Sequence, residues 1–407
     1  MQRNSLFAVL GVLILVFVAL LYAKAKFGAI NIPQTSPPPE TPTSTPRASL
    51  QEFELPQEFA IRVFAREVPH ARVMVYDPAG AILVSETQEG RVVALWDADA
   101  DSVAEKRQTI VSGLLNPHGL AFDCTALPCT LYVAEENAVR AYAYEAKTKK
   151  ATNSRKIADL PSGDGHYTRT LLFMPSPNEH MLLISVGSSC NVCHEEDDRR
   201  AKILAYDTRT KKTEEYARGL RNAVFMAIHP VSGAIWATEM GRDGLGDDVP
   251  PDEINVVEKD KNYGWPICYG QNIHDSMFDK NTYIRNPCME PFETPAKIDL
   301  QAHSAPLGID FVPEDPSGGG WPEAWWYDAI VAYHGSWNRS VPTGYKLVRI
   351  PLDAHGNSEG PITDFITGFM GADGKTIGRP AGVLVQPGGT LYISDDQAGI
   401  IYKISRR

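Results

Sequence analysis

The sequence predicts an all-β protein, a six-bladed β-propeller preceded by an N-terminal transmembrane anchor or signal segment. Three observations carry that reading. A turn, an apolar run, a short turn and a second apolar run recur six times along the chain. The runs are short, rich in β-branched and aromatic residues, and bounded by Gly, Pro, Asn or Asp. No stretch past residue 60 keeps a 3.6-residue apolar period, so helices are few.

The elements follow in order. An uncharged, mostly apolar run from Leu6 to Ala23 has Arg3 before it and Lys24 and Lys26 after it. About 18 such residues is near the minimum for a bilayer-spanning helix and long for a signal core. Ala23-Lys24-Ala25 offers a small-x-small cleavage site, so a retained anchor and a cleaved signal both stand. Either one predicts export to an extracytoplasmic location, periplasmic or at the cell surface. Residues 1–26 form this segment, and 27–54, with "NIPQTSPPPETPTSTPRAS", form a tether too poor in apolar residues to fold alone. The propeller occupies 55–407.

The six repeat copies begin at His70, Asn116, His166, Arg221, Ala305 and Arg379. Sheets of four strands spaced about 45–60 residues apart fit radial blades. The early run "FAIRVFA" is expected to pair beside "GIIYKI" in the last blade and close the ring.

Composition narrows the function. The 407 residues are 43% hydrophobic and 22% charged, with a net charge of −11 and no basic patch, which argues against a nucleic-acid partner. Polar residues stand where repeat starts crowd the propeller axis: His118, His166, Arg221, Asn222, His303 and Arg379. Channel-facing polar groups are costly unless paired, and several converging on one mouth are what a polar ligand requires.

"GHYTRTLLF", "GSSCNVCHEEDDRRAKILAYD", "GLRNAVFMAIHP", "DEINVVEKDKNYGWP", "YHGSWNRSVPTGYKLVRI" and "GRPAGVLVQPGGTLYISD" together resemble the glucose/sorbosone dehydrogenase family. The resemblance covers residues 55–405 and implies oxidation of an aldose sugar with pyrroloquinoline quinone (PQQ) and Ca2+. It implies that His166 is the catalytic base. Arg221, Asn222 and Arg379 would hold the cofactor, as would Trp337, Asn338 and Arg339 in "GSWNRS". The backbone carbonyls of Gly241 and Arg242 would bind the metal. Two departures stand out. Arg242 replaces a proline and is followed by the acidic insert "DGLGDDVPPDE", whose Asp243, Asp247 and Asp248 add ligands or merely solvated charge. No glutamine matches the family's quinone neighbour near "LLNPHGLAF", so His118 takes that place.

The expected partners are an aldose sugar, an external electron acceptor, and a membrane through the N-terminal segment. Two other classes fit a polar-mouthed propeller. A metal-dependent lactonase needs several carboxylates at the channel floor, where this chain offers arginines and a histidine; a non-catalytic binding propeller would leave those residues vestigial.

"SSCNVCHEED" carries the C-x-x-C-H spacing of c-type haem attachment at Cys190, Cys193 and His194. It lies between two strands of one blade, with no surrounding helical domain and no distal ligand. A small disulfide loop or a bound zinc is expected there instead. The six cysteines fall in close pairs, 124 with 129, 190 with 193 and 268 with 288, which in an exported chain suggests three disulfides.

Overall fold

A computed structural model describes residues 50–316, 318 and 320–407. The expected anchor and most of the tether lie outside these residues. Among the described residues no helix is long and apolar enough to cross a membrane.

Six four-stranded antiparallel sheets make the six blades. Blade 1 holds Ala71–Tyr76, Ile82–Glu86, Arg91–Trp96 and Lys106–Ser112; blade 2 holds Leu120–Asp123, Cys129–Glu135, Ala138–Glu145 and Lys150–Asp159. Blade 3 runs through Leu171–Phe173, Met181–Val186, Lys202–Asp207 and Thr213–Arg218. Blade 4 uses Ala223–Ile228, Ile235–Glu239, Asp252–Val257 and Ile298–Leu300. Blade 5 uses Pro306–Phe311, Ala329–Tyr333, Lys346–Ile350 and Thr363–Ile366.

Blade 6 is completed from both ends of the chain. Its strands Pro380–Gln386, Thr390–Asp395 and Ile400–Arg406 receive Phe59–Ala65 as the outermost strand. The register sets Phe59 opposite Arg406 and Val63 opposite Tyr402, as "FAIRVFA" predicts. Phe59 is fully buried and packs on Trp321, Trp325 and Phe365 with ring centroids 5.2–5.5 Å apart. The closure is therefore held by an aromatic cluster as well as a ladder.

Burial follows position within a blade. Second strands such as "ILVSE" (Ile82–Glu86) and "AIVAY" (Ala329–Tyr333) are buried at every residue, because neighbouring blades cover both faces. Outer strands such as Lys150–Asp159 face water and are mostly polar. At the axis the innermost strands come closer than side chains allow. A Cβ on Gly308 would sit 2.6 Å from the Ala381 carbonyl oxygen, and one on Gly382 would sit 2.2 Å from that of Arg72. Glycine is thus required where blades 5, 6 and 1 meet.

All three expected cysteine pairs are disulfides. Cys268–Cys288 staples a long excursion between the last two strands of blade 4, which includes the short hairpin Cys268–Tyr269 and Ile273–His274.

Candidate functional site

His166, Arg221 and Ala305, the first residues of three repeat copies, line one cavity of about 280 Å³. Its volume is at the low end for a small-molecule cleft, roughly 300–1,000 Å³. Larger depressions of about 420 and 650 Å³ are lined by residues such as Asn178, Tyr216 and Lys259. They gather no repeat starts, so the smaller cavity is the candidate site.

His166 reaches it because Gly165, at φ 74°, lets the loop drop onto the end of blade 3; a Cβ there would lie 2.4 Å from the Ser188 carbonyl oxygen. The His166 Nδ1 lies 3.1 Å from that carbonyl and 3.0 Å from Ser188 Oγ. Ser188 Oγ already donates to the Cys190 carbonyl at 2.7 Å, so both neighbours of Nδ1 are acceptors. Nδ1 therefore carries the proton and Nε2 is the basic nitrogen. Burial, and then the Arg221 charge, lower this imidazole's pKa to about 3, so it is neutral across the physiological range.

Arg221 is 6% exposed. Its Nε and Nη2 donate to the Asn191 carbonyl (2.8 Å) and Oδ1 (3.1 Å), and its Nη1 donates to the Met240 carbonyl (3.2 Å). Its nearest carboxylate, Asp243, stands 3.8 Å away. The guanidinium is buried and hydrogen-bonded only to neutral carbonyls, while the carboxylates that act on it, Asp243, Glu239 and Asp252, stay beyond hydrogen-bond distance, so its donors are not spent on a charge.

The metal-side residues adjoin Arg221, whose Nη1 donates to the carbonyl just before Gly241. Gly241 lines the cavity, donates its N–H to Asp252 Oδ1 at 2.9 Å, and lies so close to the returning insert that a Cβ would sit 2.8 Å from the Pro251 carbonyl. Asp252 also accepts from the Ala305 N–H at 2.9 Å and from Ser304 Oγ at 3.2 Å, tying blade 4 to blade 5. Burial lifts its pKa to about 6. Asp243 lines the same wall; its Oδ1 accepts from Asn338 Nδ2 at 2.6 Å and lies 3.8 Å from His303 Nδ1. His303 gives its Nε2 proton to the Gly246 carbonyl at 2.8 Å, which fixes the insert over the mouth. Trp337 also lines the cavity and is 75% exposed.

His166, Arg221, Gly241, Asp243, His303, Trp337 and Asn338 thus come together among the residues read from the sequence. The others sit beside the cavity or away from it. Asn222 is buried behind Met240, with Nδ2 3.6 Å from Sδ. The Arg242 side chain turns to Asp275 at 2.9 Å. Arg339 ties down the insert through the Asp247 carbonyl (2.7 Å) and the Asp248 carboxylate (2.9 Å). Arg379 donates to the His334 and Gly335 carbonyls at 3.1 and 2.6 Å. His118 is fully buried, 5.3 Å from Phe225 ring to ring, with Nε2 unpartnered.

Asp252 and Asn191 escaped the sequence reading. Asp252 stood inside the quoted "DEIN", where its acidic side chain was the available signal. Asn191 had only its place within a four-residue disulfide loop.

Oxygen donors at Gly241 and Asp243 suit a hard cation, and the wall at Arg221 suits an anion. The clusters of ligating residues elsewhere offer less. Cys190 and Cys193 beside Glu195 are spent in a disulfide, and Asp97, Asp99, Asp101 and Glu105 lie on a surface loop of blade 1.

The fold and this mouth define a six-bladed propeller with a polar cavity lined by residues of several blades. More narrowly, the chain belongs to the TrAA12-like family, whose model matches residues 53–407. A pyrroloquinoline quinone-dependent pyranose dehydrogenase of Coprinopsis cinerea is 23% identical over 396 residues, covering 82% of this chain and 52% of that protein. The chain spans 63% and 52% of the lengths of two curated relatives that it matches. The calcium structure of a Trichoderma reesei carbohydrate-active enzyme of family AA12 superposes with a TM-score of 0.74 at 23% identity, covering 90% of this chain and all (100%) of that one. The holo form of the Coprinopsis cinerea pyranose dehydrogenase PQQ domain gives 0.73 at 21% identity, covering 89% and 98%. These likenesses define the fold.

Proposed function

We propose that this chain is a PQQ- and Ca2+-dependent dehydrogenase that oxidises the anomeric hydroxyl of an aldose sugar to a lactone and passes the electrons to an external acceptor. The observation that carries the reading is the pairing, in one cavity, of a neutral histidine whose Nε2 is free to take a proton with a buried, underpaired arginine. Family membership and the pyranose dehydrogenase relative support it.

When bound, PQQ would supply an electrophilic carbonyl able to accept the hydride from C1. His166 Nε2 accepts the proton of the C1 hydroxyl. Arg221 binds acidic oxygens of the cofactor and, being already desolvated and oriented, loses little on engaging them. An anion seated there also offsets the Arg221 charge, one of the causes that depress His166, and so raises its basicity. The Gly241 carbonyl and Asp243 carboxylate offer hard oxygens to the metal. Export and membrane attachment rest on the run from Leu6 to Ala23.

Loading the purified protein with PQQ and Ca2+ should give cofactor absorbance that survives gel filtration, and dye reduction with one or more aldoses. Absence of both would refute the proposal.

A further inference from the structure

The C-x-x-C-H stretch takes no part in the chemistry above, yet its loop bonds directly to Arg221 and Asp243 in the cavity wall and reaches His166 through Ser188. Its central residue is Asn191. The Asn191 carbonyl accepts from Arg221 Nε (2.8 Å) and, more weakly, from Trp265 Nε1 (3.4 Å). Its side-chain Oδ1 accepts from Arg221 Nη2 (3.1 Å) and from the Asp243 N–H (2.8 Å), while Nδ2 donates to the Asp243 carbonyl (3.1 Å). One residue beneath it, the Cys190 carbonyl takes the Ser188 hydroxyl proton and so fixes the acceptor beside His166. The partners are distant in sequence, 30 residues to Arg221 and 52 to Asp243.

Resting on the proposed function, the geometry points to Asn191 as a positioning residue. Closed by Cys190–Cys193, the loop presents its amide and carbonyl as a neutral clamp that aims the Arg221 guanidinium at an anionic cofactor and holds the Asp243 backbone beside it, its carboxylate 3.8 Å away. Neutrality is the essential property. A carboxylate in the same place would orient Arg221 equally well but would cancel the charge the cofactor needs. An asparagine orients the fork without spending it. Closure of the loop matters because an open segment would have to be ordered before it could grip.

Apo-protein is titrated with PQQ in excess Ca2+, with tryptophan fluorescence as the readout. Asn191→Ala should raise Kd about tenfold or more, the equivalent of one or two hydrogen bonds to a charged group. The apparent KM for sugar in PQQ-saturated enzyme should stay unchanged, a split that general loosening of the fold would not produce. In an Arg221→Lys background the Asn191→Ala effect should vanish, since the clamped fork is gone. Asn191→Asp keeps the shape and should also weaken binding; it serves equally if the alanine variant does not fold. Wild-type affinity in either folded variant, or additive effects with Arg221→Lys, would overturn the assignment. Phenylglyoxal labelling of Arg221, read by mass spectrometry, needs no cofactor. The wild-type clamp should protect Arg221 and Asn191→Ala should expose it, and equal labelling counts against the clamp. If wild-type protein fails to bind PQQ, the proposed function falls while the labelling still decides the role of Asn191.

Discussion

His118→Phe isolates one buried charge event. The ring is fully buried, its Nε2 has no partner, and its Nδ1 lies 3.4 Å from Thr170 Oγ1. Burial, then the nearby Arg72, lowers its pKa to about 3, against about 6.5 in an unfolded chain. Between those values the unfolded chain binds a proton that the native protein refuses. The stability contributed by the neutral ring is therefore whole above pH 6.5 and drains as pH falls toward 3, by about 1.4 kcal/mol per pH unit. His166, lowered to about 3, and His334, lowered to about 4, act in the same direction. Asp252 and Asp310, raised to about 6, and Glu253 and Asp395, raised to about 7, act oppositely, losing stability as pH rises from about 4 toward those values. The wild-type profile is a compromise, so the difference between proteins is the informative quantity. His118→Phe keeps a ring against Phe225 and removes the orphaned nitrogen, so it should cost little at pH 7. From pH 6.5 to pH 5 it should then gain about 2 kcal/mol on the wild type. Urea denaturation midpoints across that range measure the gain, and parallel profiles would refute a neutral buried His118. PQQ titration of the same variant tests the resemblance-implied place of His118 at the quinone; an affinity loss would put it there despite its burial.

His166→Ala should retain PQQ but lower turnover by about 10²–10⁴, the usual worth of a general base; undiminished turnover in the loaded variant removes His166 from that role. Phe59→Ala should destabilise by about 3–5 kcal/mol by emptying the cluster where the chain closes on itself, read as a shift in the denaturation midpoint. Opening Cys268–Cys288, which spans 20 residues, should cost about 3 kcal/mol, against about 1.6 kcal/mol for Cys190–Cys193, which spans 3, on the loop-entropy model. Paired serine variants compared by calorimetry test that order; a larger loss from the shorter loop would show that its contacts outweigh its chain entropy.

The blades were legible because each is a local solution. An apolar run followed by a turn and a second apolar run pairs with itself, and "FAIRVFA" could be matched to "GIIYKI" because both needed an edge. The disulfides were legible for the same reason, each joining cysteines no more than 20 residues apart. Site membership was harder, as two histidines show. Both precede a blade's first strand, yet His118 is locked by its own N–H to the Ala134 carbonyl and points its ring among Thr170 and Phe225, while His166 follows a left-handed glycine that carries it to the mouth. The glycine before His166, where His118 has Pro117, is the one local signal; the rest of the difference lies in which neighbouring blade each backbone meets.

The three arginines divide on the same physical ground. Arg221, Arg339 and Arg379 each read as a guanidinium near an axis, and each is held by backbone carbonyls. Their partners differ in kind. Arg339 ends on the Asp248 carboxylate and so stabilises the insert, whereas Arg221 ends on an amide and keeps its charge for the cavity. The contacts that decide this link residues 30 to 95 apart, from Arg221–Asn191 to Asn338–Asp243. They form only when the ring closes and brings the loops of blades 3, 4 and 5 to one mouth. A propeller's period fixes where such loops emerge. The chemistry depends on whether the loop opposite supplies a charge or a dipole, and at Arg221 that choice is made by a single asparagine held in a disulfide loop.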